Sequence, residues 1–204
     1  VALVGDAGSM FANPAALATI HHFALEGSHE EYPAGTRLSS AAAAMRVGHF
    51  GYGIGAEMLR PAAATGQSTD VLALSALVFR FGMIAVGTSL KYLRAGASIP
   101  QTESWAGDAG VAIALFDIFA LGASVQNLGG DQGGAAALPH RTRVGLTMNY
   151  VDPQGSARLL TTVEGQWQEG RRSVLVAGAE GGIVSGGIGI IARVGVSGAA
   201  SASN

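Results

Sequence analysis

Glu164 and Glu180, with Arg143, Arg158 and Arg193 close to them in the chain, are the densest group of side chains that could do chemistry. Two carboxylates on neighbouring strands could serve as an acid–base pair. Such a pair also needs a nucleophile and a donor for the charge that develops in the reaction, and neither accompanies these residues. A hydrated ionic network is the expected role. His21 and His22 are adjacent, so on a strand they face opposite ways and cannot share a metal. His29, His49 and His140 are scattered over loops or turns, and no metal or cofactor is expected. The segment Gly51–Gly55 lacks the third glycine of a dinucleotide fingerprint, and there is no G-x-S-x-G elbow. The chain is expected not to be an enzyme.

The elements that carry these charges alternate with a period of two. Arg141, Arg143, Gly145, Thr147 and Asn149 interleave with Val144, Leu146, Met148 and Tyr150, which puts the two sets on opposite faces of a strand. The pattern predicts eleven strands, at 19–28, 37–47, 52–60, 70–80, 83–93, 104–115, 118–128, 141–151, 157–168, 172–183 and 188–197. One face collects Arg46, Glu57, Arg80, Lys91, Asp108, Arg143, Glu164, Glu180 and Arg193, together with His22, Glu26, Gln126, Asn149 and Gln166. The other collects Ile84, Val86, Leu90, Val111, Ile113, Leu115, Leu121, Val125, Leu146, Val163, Ile188, Ile190 and Val194. Segment 70–80 fits least, because Leu72, Leu74 and Val78 share a face with Arg80.

Repeated along a chain, a greasy face opposite a charged one is the signature of an antiparallel transmembrane β-barrel, with the charges lining the lumen. Composition agrees. Of 204 residues, 49% are hydrophobic but only 13% are charged, about half the soluble average. Arg80, Lys91, Asp117, Glu180 and Arg193 break every apolar run short of the roughly 18 residues a spanning helix needs. Thirty-one glycines suit curved sheet better than helix, whose interior each weakens by about 1 kcal/mol. A net charge of −2 offers no footprint for nucleic acid, and the absence of cysteine excludes a disulfide scaffold.

The connections alternate in length, as they do in outer-membrane barrels with short periplasmic turns and long outer loops. Short turns fall at 48–51, 81–82, 116–117, 152–155 and 185–187. Longer polar loops fall at 27–36, 60–69, 95–103 and 129–140, with a shorter one near 169–171. Phe50, Tyr52, Phe81, Phe116, Phe119 and Tyr150 sit at the short-turn end, and Tyr92, Trp105 and Trp167 at the other. Two such girdles fit two headgroup layers. Three parts follow: residues 1–18 as a hatch or plug, 19–197 as the barrel, and 198–204 as a flexible tail. An odd strand count is unusual for a bacterial barrel, so a fragment or an additional strand near Val1–Met10 is expected, and the leader needed for export is expected to lie outside this chain.

Two patterns carry a family resemblance. Asn13-Pro14-Ala15-Ala16-Leu17-Ala18 resembles the segment that opens barrels of the FadL-type hydrophobic-compound transporters and the related PorV/PorQ family. Asp108-Ala109-Gly110-Val111, then Gln126-Asn127-Leu128-Gly129, Leu138-Pro139 and Arg143-Val144-Gly145-Leu146 resemble the strand, loop entry and returning strand of PorV/PorQ proteins. The resemblance covers about Gly5 to Tyr150. It implies a barrel of about fourteen strands and a luminal hatch, in which Phe11, Asn13, Pro14 and Leu17 would form a plug or ligand gate. It further implies the outer membrane of a Gram-negative envelope, the lipid bilayer as a partner, and either hydrophobic small molecules or secreted cargo proteins as what is handled.

A non-catalytic PorV/PorQ-type barrel acting in transport or protein secretion is thus the leading expectation. A FadL-like passive transporter of hydrophobic solutes such as fatty acids is the alternative in the same fold, and it requires a greasy pocket beside Phe11 and Leu17. A soluble glycine-rich β-sandwich binding module is the alternative from another class, and it requires Ile84, Val86, Ile188 and Ile190 to be buried by protein. On the barrel reading Val86→Arg is harmful and Lys91→Gln mild.

Overall fold

Period-two patterning leaves one regular solution for the backbone, a ladder in which each strand satisfies its neighbours' amides. The computed structural model describes residues 6–62, 69–96, 102–115, 118–129, 138–150, 157–185 and 188–199. Eleven strands form one sheet: β1 (Phe23–Glu31), β2 (Arg37–Val47), β3 (Phe50–Arg60), β4 (Asp70–Phe81), β5 (Ile84–Ala95), β6 (Thr102–Leu115), β7 (Phe119–Leu128), β8 (Arg141–Asn149), β9 (Ala157–Gln168), β10 (Val174–Ser185) and β11 (Ile188–Ala199). Their order in the sheet is their order in the chain, and every neighbouring pair is antiparallel. The fold is therefore all-β. Among the described residues no pairing joins β1 to β11, so the sheet is not closed.

Residues 19–22 depart from the expected first strand. Ala7–Phe11 and Pro14–Thr19 are 3-10 helices, and β1 begins only at Phe23. The additional strand looked for near Val1–Met10 is not present from Ala7 onward. Asp6 and Asn13 explain the difference: each caps a helix, accepting the amide of Ser9 and of Ala15, and Pro14 stands at the first helical position, where its missing N–H costs nothing. At the long-loop end β1 runs on to Glu31, so the connection to β2 is only residues 32–36. At the other end of the chain β11 reaches Ala199, two residues past the expected end of the last strand. The loop stretches 63–68, 97–101 and 130–137, together with Phe116, lie outside the described residues.

The sheet curves around the two short helices, the first packing on β1–β3 and the second reaching from β2 to β7. Met10, Ala15, Leu17, Ala18 and Ile20 are buried against Ala42, Ala44, Leu74, Ala76, Val78, Ala85 and Ala112. This resolves the odd pattern of β4. Leu74 and Val78 share the concave face with Arg80 because they meet the hatch, and Arg80, nearer the rim, reaches its Ala18 carbonyl. Wherever the hatch lies, the concave face is built of small residues. A Cβ on Gly87 would stand 2.5 Å from the Ala15 nitrogen, and one on Gly110 would collide with the Asn13 carboxamide.

Among the described residues none covers the convex face. Ile84, Val86, Leu90, Leu146, Val163, Ile190 and Val194 are all exposed, and no second sheet is present among the described residues. A sandwich would have buried them. We expect Gly87→Val to destabilise the fold by about 1–3 kcal/mol through overpacking against the hatch. Gly181→Val, whose Cβ would meet nothing within 4 Å, is expected to stay within about 0.5 kcal/mol. Equilibrium unfolding of both variants checks the difference.

Candidate functional site: the hatch and its wall

The hatch is short, so most of its amides and carbonyls find no partner within its own turns, and burial obliges the wall to supply them. Glu26 of β1 accepts the Gly8 amide at 2.7 Å. Ser124 and Gln126 of β7 donate to the carbonyls of Ala12 and Phe11, each at 2.8 Å. Asn13, fully buried, donates its carboxamide to the Val111 carbonyl of β6 at 3.2 Å. Arg46 and Arg80 donate to the Ala18 carbonyl, at 3.0 and 3.4 Å, where the second helix ends and its dipole is negative. Six wall side chains or carbonyls thus hold the segment along its length.

Above the hatch the resemblance motifs meet. Lys91 Nζ lies 2.8 Å from Asp108 Oδ2, both side chains buried. Ser89 donates to the same oxygen at 2.7 Å, and the Asn127 amide donates to Asp108 Oδ1 at 2.9 Å. Asn127 has a φ of 65°, a left-handed conformation that asparagine tolerates better than most residues, at a register shift between β6 and β7. That bulge turns its carboxamide to accept from Lys91 at 3.4 Å and donate to the Pro139 carbonyl at 2.9 Å. Asn-Pro, Asp-Ala-Gly, Gln-Asn-Leu-Gly and Leu-Pro, far apart in sequence, are one hydrogen-bonded junction. A cavity of about 310 Å³ opens beside it, lined by Phe11, Glu57, Leu72, Lys91, Gln126 and Arg143 among others.

The remaining charges form separate pairs on the β8–β11 side. Arg143 Nη1 is 3.6 Å from Glu164 Oε1, to which Gln166 also donates at 2.7 Å. Arg193 Nε is 2.7 Å from Glu180 Oε2. Glu180 stands opposite Leu160, four residues along β9 from Glu164, which separates the two carboxylates by about 13 Å of strand. They are not a pair. The Arg158 side chain lies outside the described residues. His21, His22, His29 and His49 are all exposed, and no described cluster of three or more His, Asp or Glu residues could hold a metal.

All nine expected inward polar residues share the concave face, but they do not form one network. Arg46 and Arg80 clamp the hatch, Lys91 and Asp108 anchor the junction, Glu57 lines the cavity, and the other four make two pairs. Of the expected gate residues, Phe11 lines the cavity, whereas Leu17 is buried under the hatch and Asn13 and Pro14 are tied into its core. Asn127, Ser89, Ser124 and Asp6 were not foreseen as site residues. Period-two parity places Ser89 and Ser124 inward and would have found them, but the bulge that makes Asn127 a hub has no such signal.

No family model matches this chain, and comparison with curated proteins and with solved structures returns no match.

Lys91 is not the lightly held rim charge expected from the sequence. Lys91→Met leaves Asp108 buried and uncompensated and is expected to cost about 3–5 kcal/mol. Arg37→Gln, whose pair with Glu31 is exposed on both sides, is expected to cost less than about 1 kcal/mol. Unfolding free energies test the contrast. Burial pushes the Asp6 carboxyl above its ordinary 3.8 and Glu26 adds to this, against the opposing Ser9 amide and Arg193. The folded state therefore holds the proton more tightly. The stabilisation is complete below the ordinary value and is lost as pH rises through the raised one. Hydrogen exchange of residues 7–19 should show protection falling over that window in the native chain. Asp6→Asn, which keeps the cap, should hold the acid-side protection at neutral pH.

Proposed function

We propose that this chain is an outer-membrane β-barrel of the PorV/PorQ type, related to the FadL transporters, which acts without catalysis in transport or protein secretion. One observation carries the reading. The convex face of consecutive strands exposes Val, Leu and Ile, while Lys91, Asp108, Glu164 and Glu180 are buried on the concave face. In water a contiguous apolar surface beyond a few hundred Å² is rare on a monomer. In lipid it is the outer wall of a barrel.

Strand lengths support this. The strands run from 9 to 14 residues, and a tilted strand crosses the hydrocarbon layer in about 9–11. Exposed rings mark both ends: Phe50, Phe81 and Tyr150 at the short turns, Trp105 and Trp167 at the other rim. The hatch supports the family resemblance, because its Asn-Pro segment and the Gln-Asn-Leu-Gly and Leu-Pro segments lock into one junction.

Between the two roles in this fold, the cavity beside Phe11 supports one over the other. A FadL-like carrier of fatty acids needs a greasy pocket there, and Phe11 and Leu72 provide apolar surface. Glu57, Lys91, Arg141 and Arg143 surround it, however, and Leu17 is sealed beneath. A lumen held by ion pairs favours a scaffolding or cargo-binding barrel over a fatty-acid conduit.

Reconstituted into lipid, the protein should migrate differently on a gel before and after heating. Val86→Arg should weaken membrane folding by about 2–4 kcal/mol if it sits near the bilayer midplane. A monomer that stays in solution without detergent, or a Val86→Arg variant as stable as the native chain, would reject the reading.

A further inference from the structure

On the outer rim between β8 and β10, two separate cavities line up along the same convex face. The first, of about 400 Å³, is lined by His140, Thr142, Trp167, Glu169, Arg171 and Ser173, among others. Thr142 and Trp167 have the parity of Val144 and Val163, so this pocket faces outward and not toward the hatch. It exists because the β9–β10 connection is only residues 169–173, turned at Gly170 with a φ of 70°. The turn is closed by an Arg171 amide to Gln168 carbonyl bond at 3.1 Å, and the Glu169 amide reaches the His140 carbonyl at 3.1 Å.

The second cavity, of about 330 Å³, lies lower on the same wall, between Val163 of β9 and Val194 and Val196 of β11. Its floor is Ala177 and Ala179 of β10, so the groove runs over small side chains between valine ridges. Register makes the two cavities one column: Leu175 stands opposite Gly165, Ala177 opposite Val163 and Ala179 opposite Thr161. Trp167 bridges them. A Cβ on Gly165 would stand 2.6 Å from the Trp167 ring, so the indole lies down along the wall over that glycine, at the neck between pocket and groove.

We propose that this column is a binding site for one membrane lipid with a phosphate-bearing headgroup, an inference that rests on the membrane reading above. Arg171 supplies a bidentate donor for the phosphate, with Arg172 next to it in the turn and His140 adding a ring donor when protonated. Trp167 takes the glycerol or sugar level, where indoles prefer to lie. An acyl chain continues into the alanine-floored groove between the valine ridges. Over the four residues from Trp167 to Val163 the strand descends about 13 Å, well within the length of a membrane acyl chain. Glu169 at the pocket's edge disfavours a second anionic group and suits a headgroup amine.

The test uses the full chain in detergent micelles, with Trp105→Phe so that Trp167 is the one remaining tryptophan. Phosphatidylethanolamine brominated on its acyl chains is titrated in, and quenching of Trp167 is read. Saturable quenching at one equivalent is expected. Arg171→Gln should weaken it by at least about tenfold through loss of the charge-assisted contact to the phosphate, and Ala179→Leu, which fills the groove, should weaken it as well. Neither variant touches the hatch, and an unchanged heat-modifiable band will show that each has folded. Quenching that rises linearly with lipid and ignores both substitutions would overturn the site. Displacement by inorganic phosphate alone would make it a phosphate site and overturn the lipid assignment. A chain that needs no detergent would instead sink the membrane reading itself.

Discussion

A strand has two faces, and a chain that alternates strictly must find a different solvent for each. Here the convex face is Val, Leu, Ile and Phe with no described residue folded over it, and the concave face buries Lys91, Asp108, Glu164 and Glu180. Burial of a charge is tolerated only when it is paired and hydrogen-bonded, and all four have an oppositely charged partner on an adjacent strand, Lys91 and Asp108 being each other's. Every other feature follows from this sorting, including the small residues that let the hatch approach and the aromatic rims that mark where the greasy band stops.

The hatch occupies one side of the concave surface only. Against β2–β7 it is met by alanine, glycine and a few large apolar groups, and its backbone is satisfied by Glu26, Arg46, Ser124 and Gln126. On the β8–β11 side Arg143 pairs with Glu164, Gln166 donates to the same carboxylate, Thr147 meets Thr162, and Glu180 pairs with Arg193. The two walls therefore differ in kind. One is a docking surface for a buried segment and the other is lined by paired polar side chains.

Much of this was legible in the residues. Alternation placed ten of the strands to within a few positions, because parity is a property of the backbone and survives errors at strand ends. It failed at residues 19–22, where Asn13 and Pro14 start a helix whose apolar residues, Ala15, Ala16 and Leu17, carry no strand period to read. It also misjudged Lys91. Parity says inward, but only the pairing of β5 with β6 and the bulge beside Asn127 show that the ammonium is sealed off from water. The anomaly in β4 was visible as a pattern, yet its cause was not, since nothing local tells Leu74 that a segment sixty residues earlier will cover it. Which partners meet across a sheet depends on register, and register is set by the whole ladder.

The central claim is that hydrocarbon covers the convex face while water reaches the concave one. Spin labels at Leu146, Val163 and Ile190, and at Thr147, Gln166 and Arg193 for comparison, would test it in liposomes by collision with oxygen and with a water-soluble nickel chelate. The first three should be relaxed by oxygen and shielded from nickel, and the second three the reverse. Labels at Leu146, Val163 and Ile190 that respond to nickel as strongly as the inner set would contradict the account.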